Sequence, residues 1–99
     1  MLLKDPRLKT IVEAKGLDTQ CGKLIEEMAE LMVAITHMAK KDENCADHYA
    51  NFIEELGDVA ILISQIEVAL PKEDKMTLKE SISFKINREI ERLNGRSLS

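Results

Sequence analysis

Two long helical patterns, separated by one short polar segment, constrain the fold of this chain most strongly. Apolar residues recur with helical spacing from about Asp18 to Lys41 and again from about Asp42 to Leu70, and only residues 40–44 between them have a turn-like composition. Because a short connection makes two helices antiparallel neighbours, residues equally far from the turn lie level with each other. If the turn centres between residues 42 and 43, the numbers of level residues add up to 85.

Each helical pattern carries a cluster of acidic residues. The clusters are Glu26-Glu27-x-x-Glu30 and Glu54-Glu55-x-x-Asp58. In the hairpin register Glu30 faces Glu55, and Glu27 faces Asp58. Each cluster ends against five consecutive apolar residues, which exceed one helical turn of about 3.6 residues and leave no polar face beyond the acid. We therefore expect Glu30 and Asp58 to be half buried, and a buried carboxylate is neutralised, paired with a base or bound to a metal.

The donor set of these clusters predicts a hard cation. Oxygen donors without His or Cys favour Mg²⁺, with Mn²⁺ as a substitute, and the four level acids are the candidate ligands: Glu27, Glu30, Glu55 and Asp58. A di-iron site also uses paired glutamates, but it requires Glu-x-x-His spacing, which neither His37 nor His48 satisfies. Since Mg²⁺ usually shares its coordination shell with water and phosphate, this ligand set predicts phosphoryl chemistry.

Two residues next to the predicted ligands, Glu26 and Gly57, are candidates for a role at the site. Glu26 points away from the helix interface and is the candidate general base for an attacking water, the alternative being an exposed glutamate that pairs with Lys23. Gly57 lies beside Asp58 inside a helix, where glycine costs about 1 kcal/mol relative to alanine. A close approach of another backbone or a ligand would explain this glycine, and a tolerated surface glycine is the alternative.

The ends of the chain predict two more helices. A short helix is expected from Lys4 to Lys15, ended by Gly16, with Asp18 as the cap of the next helix. Pro71 is expected to end the second long helix, and the capping-box pattern of residues 77–80 to open a last helix that runs to Leu93. Residues 1–99 are thus predicted to form one all-α domain of four helices.

On the last helix, three basic residues follow i, i+3, i+7 spacing: Lys85, Arg88 and Arg92. Such a stripe beside a metal site suits a polyphosphate, because cationic side chains neutralise the charge that the metal leaves. The alternative is an ordinary solvated helix face, since Glu89 and Glu91 are interleaved with the basic residues.

Composition limits the partners. A net charge of −4 with scattered Lys and Arg argues against binding of a nucleic-acid polymer. No stretch approaches the roughly 20 apolar residues of a membrane span, and no signal peptide is recognisable, so we expect a cytoplasmic protein without a membrane partner. Cys21 and Cys45 lie near opposite ends of the hairpin, which excludes a disulfide within it. A chain of 99 residues buries a modest fraction of its surface, so self-association is expected to complete the core.

The acidic motifs resemble those of a known family. Glu26-Glu27-x-x-Glu30, followed after 24 residues by Glu55-Leu-Gly-Asp58-Val, is similar to the EExxE…ExxD signature of the MazG-like all-α nucleoside triphosphate pyrophosphohydrolases. The similarity covers about Leu17 to Leu93. It implies hydrolysis of a nucleoside triphosphate to the monophosphate and pyrophosphate, with Mg²⁺ held by the four acids named above.

The resemblance carries further expectations. It implies a homodimer or homotetramer in which a four-helix MazG-like bundle is completed by homo-oligomerisation. It also implies substrate contacts near Gln20, phosphate contacts from Lys85, Arg88 and Arg92, and a role in removing non-standard or surplus nucleotides. The chain lacks a Trp near its start, where some relatives stack the base, so the base preference stays open. Two alternatives remain: a phosphoribosyl-ATP pyrophosphohydrolase, and a non-catalytic helical dimer that binds a partner.

Overall fold

The computed structural model describes residues 3–95, and within this range the regular structure is entirely α-helical. The helices are α1 (Pro6–Lys15), α2 (Leu17–Met38), α3 (Cys45–Ala69) and α4 (Lys72–Leu93). The predicted all-α class and its four helices are confirmed. Contacts group the chain into two compact units, one ending at Ala69 and containing α1 to α3, the other beginning at Leu70 and containing α4.

Two side-chain pairs show the register of the α2–α3 hairpin. Near its open end, Gln20 Nε2 donates a hydrogen bond of 2.7 Å to Gln65 Oε1. Near its turn, the ring centroids of His37 and His48 lie 5.6 Å apart. In both pairs the residue numbers add up to 85. The predicted antiparallel register is therefore confirmed along the hairpin.

Asp42 organises the turn of this hairpin. Its Oδ1 accepts a 2.9 Å hydrogen bond from the backbone N–H of Asn44, and the same carboxylate pairs with His48 Nε2 at 3.1 Å. These partners hold the pKa of Asp42 below its ordinary value, the backbone hydrogen bond being the larger cause. Because an aspartate that binds nearby backbone N–H groups favours a turn over a helix, α3 begins at Cys45 and not at Asp42 as predicted.

The helix starts differ from the sequence predictions at two other places. Gly16, at φ 92°, is the N-cap of α2, so the prediction that Asp18 caps this helix was wrong; Asp18 lies in the first turn. The last helix begins at Lys72, so the capping box of residues 77–80 was also wrong. Thr77 lies inside α4, and its hydroxyl donates to the Glu73 carbonyl at 3.1 Å. Glu73 and Asp74 in the first turn favour the earlier start, since acidic side chains stabilise the positive end of the helix dipole.

The core of the first unit is formed by residues of α1 and of both hairpin helices. The buried apolar side chains are Leu8, Val12, Ala34, Val59 and Leu62. In the second unit, α4 has no buried residue among those described, and its large apolar side chains are exposed at several positions, including Phe84, Ile86 and Ile90. Among the described residues, no helix has the length and apolar character needed to cross a membrane.

Candidate metal centre

Three carboxylates converge on the α2–α3 hairpin. Glu27 of α2 and Glu55 and Asp58 of α3 each offer one oxygen, and these oxygens all lie within 4.8 Å of one another. We call these three side chains the carboxylate cluster. The i, i+3 spacing places Glu55 and Asp58 on one helix face, and the hairpin register brings Glu27 level with Asp58. Residues from two helices thus meet because the turn is short.

Glu30, the fourth predicted ligand, lies next to the cluster and outside the group of converging oxygens. Its carboxylate interacts with Glu55, as the register predicted, and both residues line one groove. Burial raises the pKa of the Glu55 carboxyl above its ordinary value of 4.5, and the negative charges of Glu30 and of its two cluster partners raise it further. The site therefore concentrates more negative charge than α3 alone would carry.

The prediction that Glu30 and Asp58 are half buried was wrong. Glu30 and Asp58 are exposed, whereas Glu27 is 8% exposed and Glu55 is half buried. The apolar residues after Glu30 are not covered on all sides, since Met32 and Val33 are exposed, so this acid keeps its contact with water. Which acid is shielded from solvent therefore depends more on the packing of neighbouring helices than on the adjacent residues of the sequence.

Two buried carboxylate oxygens are left unsatisfied at this site. Among the described residues, Oε2 of Glu27 and Oε2 of Glu55 have no hydrogen-bond partner. A buried oxygen without a partner costs free energy comparable to a lost hydrogen bond or more. Carboxylate oxygens converging within 4.8 Å suit a hard cation, which binds such ligands at about 2.0–2.6 Å. The residues present therefore fit the predicted Mg²⁺.

Lys23 supplies a positive charge at the edge of the cluster. Its Nζ lies 3.4 Å from Glu27 Oε1 and 3.8 Å from Glu26 Oε2. The hydrogen-bonded Glu27 carboxylate raises the pKa of Lys23, with smaller effects from the charges of Glu26 and Glu30. A single ammonium cannot neutralise the three carboxylates of the cluster. It leaves a net negative site.

Two grooves adjoin the cluster in the first unit. The Asn51 groove, of about 340 Å³, is lined by Ala29, Glu30, Val33, Asn51 and Glu55. The Gln20 groove, of about 310 Å³, includes Gln20, Lys23, Glu27, Asp58 and Gln65 in its lining. Every member of the cluster thus borders a groove, so a ligand bound to the carboxylates would have space beside them.

Three other predicted site residues of the first unit, Glu26, Gln20 and Gly57, lie outside the carboxylate cluster. Glu26 is exposed and pairs with Lys23, so its carboxylate is outside the cluster. Gln20 is buried, and its amide is hydrogen-bonded to Gln65 while it lines the groove named after it. At Gly57 an added Cβ would meet nothing within 4 Å among the described residues. A close protein backbone, one of the explanations given for this glycine, is therefore not found among the described residues, and a ligand or a tolerated surface glycine remain.

The predicted phosphate-binding residues lie on α4 in the second unit. Lys85 is exposed, and Arg92 pairs with Glu89 at 3.7 Å. The guanidinium carbon of Arg88 lies 5.8 Å from the centroid of the Phe84 ring, within the usual range of a cation–π contact. Arg88 Nε is buried and lacks a hydrogen-bond partner among the described residues.

The sequence patterns did not predict three residues that border the site: Lys23, Asn51 and Gln65. The position of each residue in the sequence nevertheless indicates which residue it lies beside. Lys23 precedes Glu27 by four residues, the spacing of a helical ion pair, and Asn51 precedes Glu55 by the same spacing. Gln65 is level with Gln20 in the hairpin register.

Comparisons of the chain with protein-family models, curated protein sequences and solved structures give no significant match. The resemblance to MazG-like pyrophosphohydrolases therefore stays a prediction that rests on the two acidic motifs.

Proposed function

We propose that this protein is an Mg²⁺-dependent hydrolase that converts a ribo- or deoxyribonucleoside triphosphate to the monophosphate and pyrophosphate. The observation that carries the proposal is the convergence of Glu27, Glu55 and Asp58, whose oxygens lie within 4.8 Å of one another. Two unsatisfied buried oxygens and a net negative charge support a cation at this position. The acidic motifs and their resemblance to the MazG-like family suggest the reaction.

In this proposal the carboxylate cluster holds the metal, and Glu30 completes the ligand set from beside Glu55. When bound, Mg²⁺ neutralises phosphate charge and lowers the pKa of a coordinated water. The chain supplies the positions of the ligands, which are held by two packed helices rather than by a loop. Such a scaffold keeps the carboxylates close together despite their mutual repulsion.

Other residues of the chain have proposed roles in the reaction. Glu26 accepts the proton of the water that attacks phosphorus. Gln20 contributes to the wall of the substrate groove through its bond with Gln65. Lys85, Arg88 and Arg92 are the proposed phosphate ligands, on the basis of their charge and of the family resemblance.

We also propose that the active form is a homodimer or homotetramer, which would complete a MazG-like bundle. The exposed apolar side chains of α4 and those of α2, such as Ile25 and Met32, support this part. The protein would act in the cytoplasm on non-standard or surplus nucleotides. The same exposed faces favour a second candidate function, a non-catalytic helical dimer that binds a partner.

An endpoint assay against a panel of ribo- and deoxyribonucleoside triphosphates, with and without Mg²⁺, tests the proposal. We expect monophosphate and pyrophosphate to be formed in the presence of metal, and the panel to identify the preferred base. Release of orthophosphate would contradict the assigned bond cleavage. Inactivity across the panel would favour the non-catalytic dimer, unless phosphoribosyl-ATP, added to the panel, is hydrolysed.

A further inference from the structure

We propose that Lys23 is the internal counterion of the carboxylate cluster, and that a divalent cation competes with its ammonium for Glu27. This inference concerns the regulation of metal binding and rests on the metal site of the proposed function.

Among the described residues, only one oxygen of the Glu27 carboxylate has a partner. Glu27 is 8% exposed, so its charge has lost most of its contact with water. Its Oε1 lies 3.4 Å from Lys23 Nζ, and its Oε2 has no hydrogen-bond partner among the described residues. A nearly buried carboxylate therefore has one oxygen paired with an ammonium and another unpaired. The unpaired oxygen favours binding of a metal cation, whereas the paired oxygen already has the Lys23 ammonium as its cation.

A divalent cation at the cluster would repel the Lys23 ammonium. A cation bound to the cluster would carry two positive charges close to an ammonium that is within ion-pair distance of the same carboxylate. Like charges at such a separation repel, and the repulsion is only partly screened at a half-buried site. The Lys23 side chain is 53% exposed, and its flexible four-carbon stem can carry the ammonium into water. Binding of the metal and the Lys23–Glu27 ion pair thus compete.

The test is Lys23→Met, which keeps most of the side-chain length and removes the charge. Mn²⁺ affinity is measured by calorimetry without nucleotide, at pH 7.5 and about physiological ionic strength. We expect the Kd of Lys23→Met to fall by roughly two- to fivefold, the factor that corresponds to one partly exposed ion pair. Lys23→Arg keeps the charge, so its Kd should stay near that of the wild type.

Lys9→Met is the matched control. Lys9 pairs with Glu13 at 3.8 Å on α1, so this substitution removes the same charge and a similar helical ion pair away from the cluster. Its Kd for Mn²⁺ should be unchanged. Thermal unfolding gives a second readout: without divalent cation Lys23→Met should melt below the wild type, and saturating Mn²⁺ should raise its Tm by more.

The outcomes separate this inference from the proposed function. An unchanged or weaker Mn²⁺ affinity in Lys23→Met, with a wild type that binds Mn²⁺, overturns the counterion role and leaves the metal site intact. A tighter affinity supports the counterion role even if neither protein hydrolyses a nucleotide. If neither protein binds Mn²⁺, the metal site and the inference are both wrong.

Discussion

Gln20 Nε2 donates a 2.7 Å hydrogen bond to Gln65 Oε1 across the α2–α3 hairpin, although the two residues are 45 positions apart in the chain. Both residues are buried, with 4% and 3% exposure. A shift of the register by one residue would leave two buried amides without partners, which costs free energy. The bond therefore favours the register that brings Glu27 level with Asp58.

Loss of this bond is expected to destabilise the fold. Gln20→Ala leaves the buried Gln65 amide unpaired, so the free energy of unfolding should fall by about 1–3 kcal/mol. Replacing both residues with Leu removes both polar groups and should restore much of the loss. Denaturant unfolding followed by circular dichroism measures both effects. Gln20→Leu and Gln65→Leu, each measured alone, complete the comparison. If the double variant loses as much stability as the two single variants together, the hydrogen bond does not couple the two residues.

Removal of one cluster carboxylate should separate activity from folding. Asp58→Ala is expected to lower Mg²⁺-dependent turnover on the order of 100-fold or more, because the ion contributes several kcal/mol of transition-state stabilisation. The helical content should be retained and the Tm unchanged or raised, since one of several repelling charges is gone. Glu54→Gln is the control: Glu54 precedes Glu55 but is exposed and outside the cluster. Equal turnover in wild type and Asp58→Ala would refute the catalytic assignment.

The raised pKa of Glu55 predicts how stability depends on pH. Because the folded protein holds this proton more tightly than the unfolded chain, ionisation of Glu55 destabilises the fold. Its contribution to stability should fall as pH rises from below 4.5 through the higher pKa of the folded state. Glu55→Gln should therefore raise the Tm at pH 7 without divalent cation and change it little at pH 4.

Divalent cation should reverse this effect. Mg²⁺ binding to the folded protein raises the Tm of the wild type by mass action, and Glu55→Gln should gain less because it has lost a ligand. Differential scanning fluorimetry of both proteins at both pH values, with and without Mg²⁺, measures the eight Tm values. The cluster is not a metal site if Mg²⁺ stabilises the two proteins equally.

Gly57 and Gly22 form a matched pair for testing the role of a glycine beside the metal site. Both lie inside helices, and an added Cβ meets nothing within 4 Å at either position. Each Gly→Ala substitution should therefore raise the free energy of unfolding by about 0.5–1 kcal/mol. If Gly57 leaves space for a ligand, Gly57→Ala alone should lower nucleotide hydrolysis. Equal activity of the two variants would identify Gly57 as a tolerated surface glycine.

Much of the hairpin follows from the sequence because its determinants are local. Helical spacing, a short polar turn and two acidic clusters were sufficient to predict the pairs Glu27 with Asp58 and Glu30 with Glu55. The start of α4 was missed because a good capping box at residues 77–80 was a weaker signal than the acidic first turn that follows Pro71. Two local patterns thus indicated different starts for α4, and the sequence alone does not show which of them stabilises a helix start more.

The sequence by itself determined the helical class, the hairpin register and the positions at which carboxylates face each other. These features follow from the helical period and from the length of one turn. Only the tertiary structure decided that Glu27 is buried while Glu30 and Asp58 are exposed, and that Gln20 and Gln65 are buried and bonded to each other. Burial and pairing depend on which atoms the neighbouring helices bring near a side chain, and the spacing of residues along one helix does not contain that information.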